Sequence, residues 1–226
     1  MTGLLVAIAA FLLTHLIPAY KPLRQALVGV MGVKVYLVLY SLLSLAMIGW
    51  LAHAYAAAPY VEVWPFADWT RWVPVLVMPL ACVLVVAGLT SPNPFSLGAG
   101  SRGYDPARPG IVSVSRHPAI WGLVLWSGAH LVPNGDLASV LLFGLLTILG
   151  LLGPASLDLK TRARLGDAEW ARLAGPTSAL PFAAILAGRT RLDGIGWKRG
   201  LGGLVLYAVL YGLHAPVIGV EPLVLP

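Results

Sequence analysis

Charged side chains are scarce in this sequence, at 11% of its residues against about a quarter in a soluble domain, which excludes water as its main solvent. Cysteine occurs once, as Cys82, so no intrachain disulfide, zinc cluster or iron-sulfur site can form. Acidic residues are also few: nine stand against 15 Lys and Arg, giving a formal charge of +6 and a pI near 9.7. That imbalance does not call for nucleic acid as a partner, because anionic lipid and the retention of basic loops on the cytoplasmic side account for it. Internal repeats of solenoid length are lacking, as is low-complexity sequence outside the apolar runs. The first apolar run has no basic residues before it, so it reads as a retained helix rather than a cleaved signal peptide.

What the chain has in quantity is apolar surface: 58% of its 226 residues are hydrophobic and its mean hydropathy is +0.84. At about 20 residues per helical crossing there is room for about six spans. They are expected at Gly3–Tyr20, Val35–Ala58, Val73–Leu89, Pro118–Val132, Leu137–Gly153 and Leu201–Val220, the fourth being short. Residues 1–226 thus read as a single all-α domain, a polytopic transmembrane helix bundle. The apolar stretch Ala179–Ala187 is half a span long and belongs at the interface or in a re-entrant segment. Ser156–Leu173, charged on most turns, reads as an interfacial helix on the cytoplasmic face.

Fourteen of the 15 basic residues fall in the loops after spans one, three and five, from Lys21 and Arg24 through Arg102, Arg108 and Arg116 to Lys198 and Arg199. The positive-inside rule then places those loops in the cytoplasm and both termini outside it, in the inner (plasma) membrane. Arg71 alone lies on the other side, beside Trp64, Trp69 and Trp72, whose rings suit a membrane–water interface.

Histidine is the residue type that would let such a bundle do chemistry, since imidazole ligates haem iron and ionisable groups are rare within spans. His53 and His117 fall at span ends, while His15, His130 and His214 fall inside spans one, four and six. At 1.5 Å per residue, His130 and His214 lie level, roughly 10 Å from the outer edge, with His15 deeper at roughly 18 Å. Depth favours His130 with His214 slightly and leaves every pairing open. Without a Cys-x-x-Cys-His site, any haem would be non-covalent. Haem propionates need cations, and Arg24 at the inner end of span one is the first candidate.

Two polar segments carry the motifs. Ser115-Arg116-His117-Pro118-Ala119-Ile120-Trp121-Gly122, followed by Leu125 to Asp136, resembles the signature of the NnrU family of bacterial membrane proteins. So do Ser91–Leu97, Thr177-Ser178-Ala179-Leu180-Pro181-Phe182, and Leu213-His214-Ala215 with Gly219, so that the resemblance covers nearly the whole chain. The family is similar to the plant 15-cis-zeta-carotene isomerase, a membrane enzyme holding b-type haem. The resemblance implies a haem b pocket whose iron ligands match His15 and His130, with His214 in reserve. It also implies a link to nitrogen-oxide (denitrification) metabolism, and a haem-dependent redox or isomerase reaction on an apolar substrate entering from the lipid bilayer. Homo-oligomers or nitrogen-oxide reductase components are the protein partners it suggests. The isomerase pattern has Cys three residues before the span-four His, where this chain has Ser127, and serine cannot replace thiolate on iron.

Arg116-His117-Pro118 with Gly122, and later Leu165 to Trp170 leading to Leu180-Pro181, is also similar to integral-membrane methyltransferases that bind S-adenosylmethionine. That likeness implies Arg116 and His117 as cofactor-binding residues, although Asp158 and Lys160 stand where an acidic pair would be expected. A non-catalytic sensor or assembly factor is the third reading. The plain alternative for Arg116-His117-Pro118 is a capped helix start, with Pro118 in the first turn.

Overall fold

In the computed structural model of the chain, residues 1–17, 20–96, 98 and 100–223 are described. Pro18 and Ala19, at the end of the expected first span, and Leu97, the last residue of the Ser91–Leu97 motif, lie outside the described residues. Eight α-helices are described: α1 (Thr2–Leu16), α2 (Lys21–Ala56), α3 (Trp72–Thr90), α4 (Pro118–Leu131), α5 (Leu137–Leu165), α6 (Asp167–Ala174), α7 (Ala183–Leu186) and α8 (Trp197–Ile218). No strand occurs among the described residues, only an isolated bridge between Glu62 and Asp136.

Four of these segments are long and apolar enough to cross a membrane: Lys21–Ala56, Asp68–Thr90, Leu137–Leu165 and Trp197–Ile218. Their outward faces are apolar, with Leu45 66%, Leu76 69%, Leu152 65% and Val217 71% exposed. Side chains of this kind in such number fit hydrocarbon and not water. The expected first and fourth spans correspond to α1, 15 residues long, and α4, 14 residues long. At 1.5 Å per residue each is about 22 Å long, short of the ~30 Å hydrocarbon core.

Two expected boundaries differ. The basic segment Lys21–Lys34 is not an open loop but is absorbed into α2, interrupted at Gly32, whose φ of 77° breaks the helical run. Pro22 in the first turn starts this helix, and the run Leu23-Arg24-Gln25-Ala26-Leu27 consists of good helix formers. Likewise α5 runs past Gly153 and Pro154 to Leu165, so the expected Ser156–Leu173 helix is split. Gly166, at φ 79°, makes the turn into α6. The apolar stretch Ala179–Ala187 contains only the four-residue α7.

The chain divides into two compact units. The first comprises Met1–Pro65 with Gly135–Leu142. In it α1 lays Leu4, Ala7 and Phe11, spaced three and four apart, against Leu51 and Ala54 of α2 and Ala138 at the start of α5. Asp136 caps α5, accepting hydrogen bonds from the Ser139 amide and hydroxyl. Gly135 lies so close to Trp64 that a side chain there would collide with the Trp64 carbonyl, and its own carbonyl accepts from the amides of Val63 and Trp64.

The second unit comprises Phe66–Asn134 with Phe143–Pro226, and in it α3 packs against both α4 and α8. Small residues set those crossings: Gly122 meets Ala81 and Val85, and Gly203 meets Val83, each too close to admit a Cβ. At the end of α3, Leu84 and Ala87 form a second core with Phe95, Ile111, Val112 and Val114 of the Ser91–Pro118 segment and Leu173 and Ala174 of α6.

Candidate functional site

Each of the three histidines within apolar helices has its Nδ1 against a backbone carbonyl. His15 Nδ1 lies 2.8 Å from the Phe11 carbonyl oxygen and His130 Nδ1 lies 2.7 Å from that of Trp126, each one helical turn back. His214 Nδ1 lies 2.7 Å from the carbonyl oxygen of Val220. A carbonyl can only accept, so Nδ1 carries the hydrogen in each ring. Neutral imidazole then has its lone pair on Nε2, which is the arrangement a metal-ligating histidine requires.

Their surroundings differ. His15 is exposed and its ring lies tilted against that of Phe11, ring centres 4.0 Å apart. His130 is half-buried between Trp126 and Phe143, at 5.8 and 5.4 Å. His214, half-buried on α8, comes within electrostatic range of His130 on α4. His15 belongs to the first unit, and His130 and His214 to the second. His53 is exposed near the end of α2. Arg24 is exposed too, its guanidinium 5.7 Å from the centre of the Tyr36 ring. No group of three or more His, Cys, Asp or Glu that could hold a metal ion occurs among the described residues.

Ser127, three residues before His130, is fully buried. Its hydroxyl donates to the Leu123 carbonyl at 2.9 Å and accepts from Thr147 of α5 at 2.8 Å. It therefore serves the contact between α4 and α5.

Arg116 and His117 lie in a different environment, in the polar layer at the start of α4. Arg116 makes a two-pronged bond to Asp158, Nη2 to Oδ2 at 2.6 Å and Nε to Oδ1 at 3.3 Å. Its Nη1 reaches the Ala174 carbonyl and the Thr177 hydroxyl. His117, fully buried, donates from Nε2 to Asp158 Oδ1 at 2.9 Å, and its Nδ1 is buried with no hydrogen-bond partner among the described residues. The Arg116 guanidinium also lies 5.3 Å from the centre of the Trp170 ring and 5.9 Å from that of Phe95.

Backbone contacts close the layer around this cluster. Asn93 donates to the Arg116 carbonyl at 2.9 Å, and the Arg116 amide donates to the Ser178 carbonyl at 2.8 Å. The Ala179 carbonyl accepts from both Ser115 Oγ and Trp121 Nε1. Those bonds seat Thr177–Phe182 against the start of α4, and Phe182 takes a left-handed φ of 62° where the segment turns into α7.

Asp158 lies on the polar end of α5, beyond the apolar stretch that ends at Gly153. Burial pushes its carboxyl up, but hydrogen bonds from His117 and Arg116, with the charge of Arg116, outweigh that and hold it below the usual carboxylate range. Tyr104 is the reverse case: burial pushes its phenol up to about 12, and its hydroxyl has no partner among the described residues.

Asp158, Asn93 and Thr177 were not singled out by the sequence as partners of Arg116. One signal was available: Asp158 is the sole acidic residue between Asp136 and Asp167. A buried Arg in the polar layer needs a carboxylate, and this was the nearest one on the helix that follows.

A family model described as NnrU protein matches residues 3–222, nearly the whole chain. No curated protein and no solved structure matches it.

Proposed function

The chain belongs to the NnrU family, and from that membership we propose that it is a six-span membrane protein holding one b-type haem non-covalently, acting in nitrogen-oxide metabolism as a haem-dependent redox or isomerase enzyme on an apolar substrate. The observation that carries the reading is the shared state of His15, His130 and His214: each Nδ1–H is spent on a backbone carbonyl, which leaves Nε2 as the donor atom within apolar helices. The chemistry of that donor set fits haem iron, which takes imidazole axially. His130 and His15 are the proposed ligands, with His214 in reserve. Arg24 is the proposed propionate partner.

When bound, haem supplies redox and Lewis-acid chemistry at iron. The chain's own contribution is to orient each imidazole separately, His15 through the Phe11 carbonyl with the Phe11 ring beside it, and His130 through the Trp126 carbonyl with Trp126 and Phe143 beside it. Methyl transfer finds less support, because Arg116 spends its donors on Asp158, Ala174 and Thr177 rather than presenting them to a cofactor. The reading is tested by a pyridine haemochrome assay on detergent-purified protein expressed with ample haem supply. About one haem b per chain is expected, and a colourless, folded preparation overturns it.

Six spans require that α1 and α4 also cross, by local thinning of the bilayer or with flanking residues. The basic segments around Lys21, Arg108 and Arg162 then all face the cytoplasm, with both termini outside. Cysteines introduced at those three positions are expected to resist a membrane-impermeant thiol reagent in intact cells and to react after permeabilisation. Labelling in intact cells refutes this orientation.

A further inference from the structure

We propose that a cavity at the junction of α3 and α8 seats the phosphate of an anionic glycerophospholipid. The cavity, of about 450 Å³, is lined by Val86 and Thr90 from the end of α3 and by Gly196, Trp197, Lys198 and Arg199 at the start of α8. One turn further along α8, Gly202 and Gly203 bring that helix close to α3 at Val86 and Val83.

Its electrostatics select an anion. Lys198 and Arg199 form no ion pair among the described residues. The Lys198 ammonium lies 5.7 Å from the Trp197 ring centre. Arg199 makes two long contacts of 3.4 Å, to the carbonyls of Thr90 and Ile195, which aim its guanidinium without using all its donors. The acidic side chain nearest in sequence, Asp193, is already committed: its two oxygens accept from the amides of Gly110 and Gly194, at 2.9 and 3.0 Å.

The surroundings select a lipid over free phosphate. Trp197, Leu201 and Val205 recur at intervals of four on α8, so they share one face. They are 74%, 52% and 53% exposed, which continues the cationic cavity into an apolar stripe down the helix. A two-cation pocket opening onto apolar helix surface matches a headgroup phosphate with acyl chains below it, and an exposed Trp at the mouth suits the headgroup level. The site is separate from the histidines, and it depends on the membrane location and not on haem.

The test is native mass spectrometry of the full chain in dodecylmaltoside with dioleoyl phosphatidylglycerol, dioleoyl phosphatidylcholine or inorganic phosphate added. One phosphatidylglycerol per chain is expected to persist where phosphatidylcholine does not. Lys198→Gln should weaken retention about fivefold, the effect of removing one cation beside an anionic headgroup. Lys198→Arg should retain the lipid, as should Lys160→Gln, which removes a cation elsewhere on the basic surface. Circular dichroism checks that each variant is folded, and Trp197→Ala supplies a second test at the cavity mouth should Lys198→Gln fail to fold. Equal retention of phosphatidylcholine, an unchanged affinity in folded Lys198→Gln, or displacement of the lipid by inorganic phosphate at matched concentration overturns the proposal.

Discussion

His130→Ala is expected to purify as folded protein that has lost its low-spin haem spectrum. Among the described residues, the His130 side chain makes one hydrogen bond, donated by its Nδ1–H to the Trp126 carbonyl within its own helix. Removing the half-buried ring therefore costs packing against Trp126 and Phe143 but breaks no contact that joins helices by a polar bond. An axial ligand is different in kind. Six-coordinate ferric haem with two imidazoles is low-spin, and losing one leaves either a five-coordinate high-spin centre or no bound haem. Absorption and electron paramagnetic resonance spectra of His130→Ala, His15→Ala and His214→Ala assign the pair. His15→Ala is expected to behave as His130→Ala does, with His214→Ala close to wild type. Should His214→Ala lose the haem while His15→Ala keeps a wild-type spectrum, the second ligand is His214, the histidine that shares a compact unit with His130. A wild-type spectrum in His130→Ala refutes the assignment altogether.

Composition alone reached the membrane, because apolar runs of spanning length leave the backbone no other way to satisfy its hydrogen bonds. It did not reach the helix ends. Hydropathy changes where lipid meets water, whereas a helix stops where backbone geometry changes, and the two coincide only by chance. Hence α2 begins at Lys21, well before the apolar run at Val35, and α5 continues past Gly153 to the positive-φ Gly166. Pro154 within α5 removes only the hydrogen bond to the Gly150 carbonyl, which did not suffice to end the helix.

The candidate site divides along a similar line. The tautomers of His15 and His130 follow from bonds to carbonyls four residues back, a local consequence of helical geometry that begins in the sequence itself. The partner of Arg116 was out of reach by spacing, because Asp158 is 42 residues away along the chain. Only the packing of the polar end of α5 beside the start of α4 brings the two together. Arg116-His117-Pro118 thus carried a recognisable pattern, while its chemistry depended on a carboxylate outside it.

That carboxylate sets the second large expectation. Asp158→Ala is expected to destabilise the protein by about 3–5 kcal/mol, the usual cost of removing one member of a buried ion pair. The side chains concerned are well shielded, Arg116 being 13% and Asp158 16% exposed and His117 fully buried. Alanine leaves the guanidinium without its two-pronged acceptor and His117 Nε2–H with none, so the loss includes both desolvation costs. If the cluster acts as one unit, Arg116→Met combined with Asp158→Ala costs less than the sum of the single changes, because no charge then stays buried without a partner. Additive losses would mean that the pair does not couple. The pH dependence has a definite sign. The folded-state pKa of Asp158 lies below its unfolded value, so its contribution is complete above about pH 4 and declines as pH falls through the folded value. Thermal unfolding in detergent should therefore show a gap between wild type and Asp158→Ala that is constant from pH 7 down to about 4 and narrows in more acidic buffer. A gap that instead narrows as pH rises through neutrality would assign the stabilisation to another group.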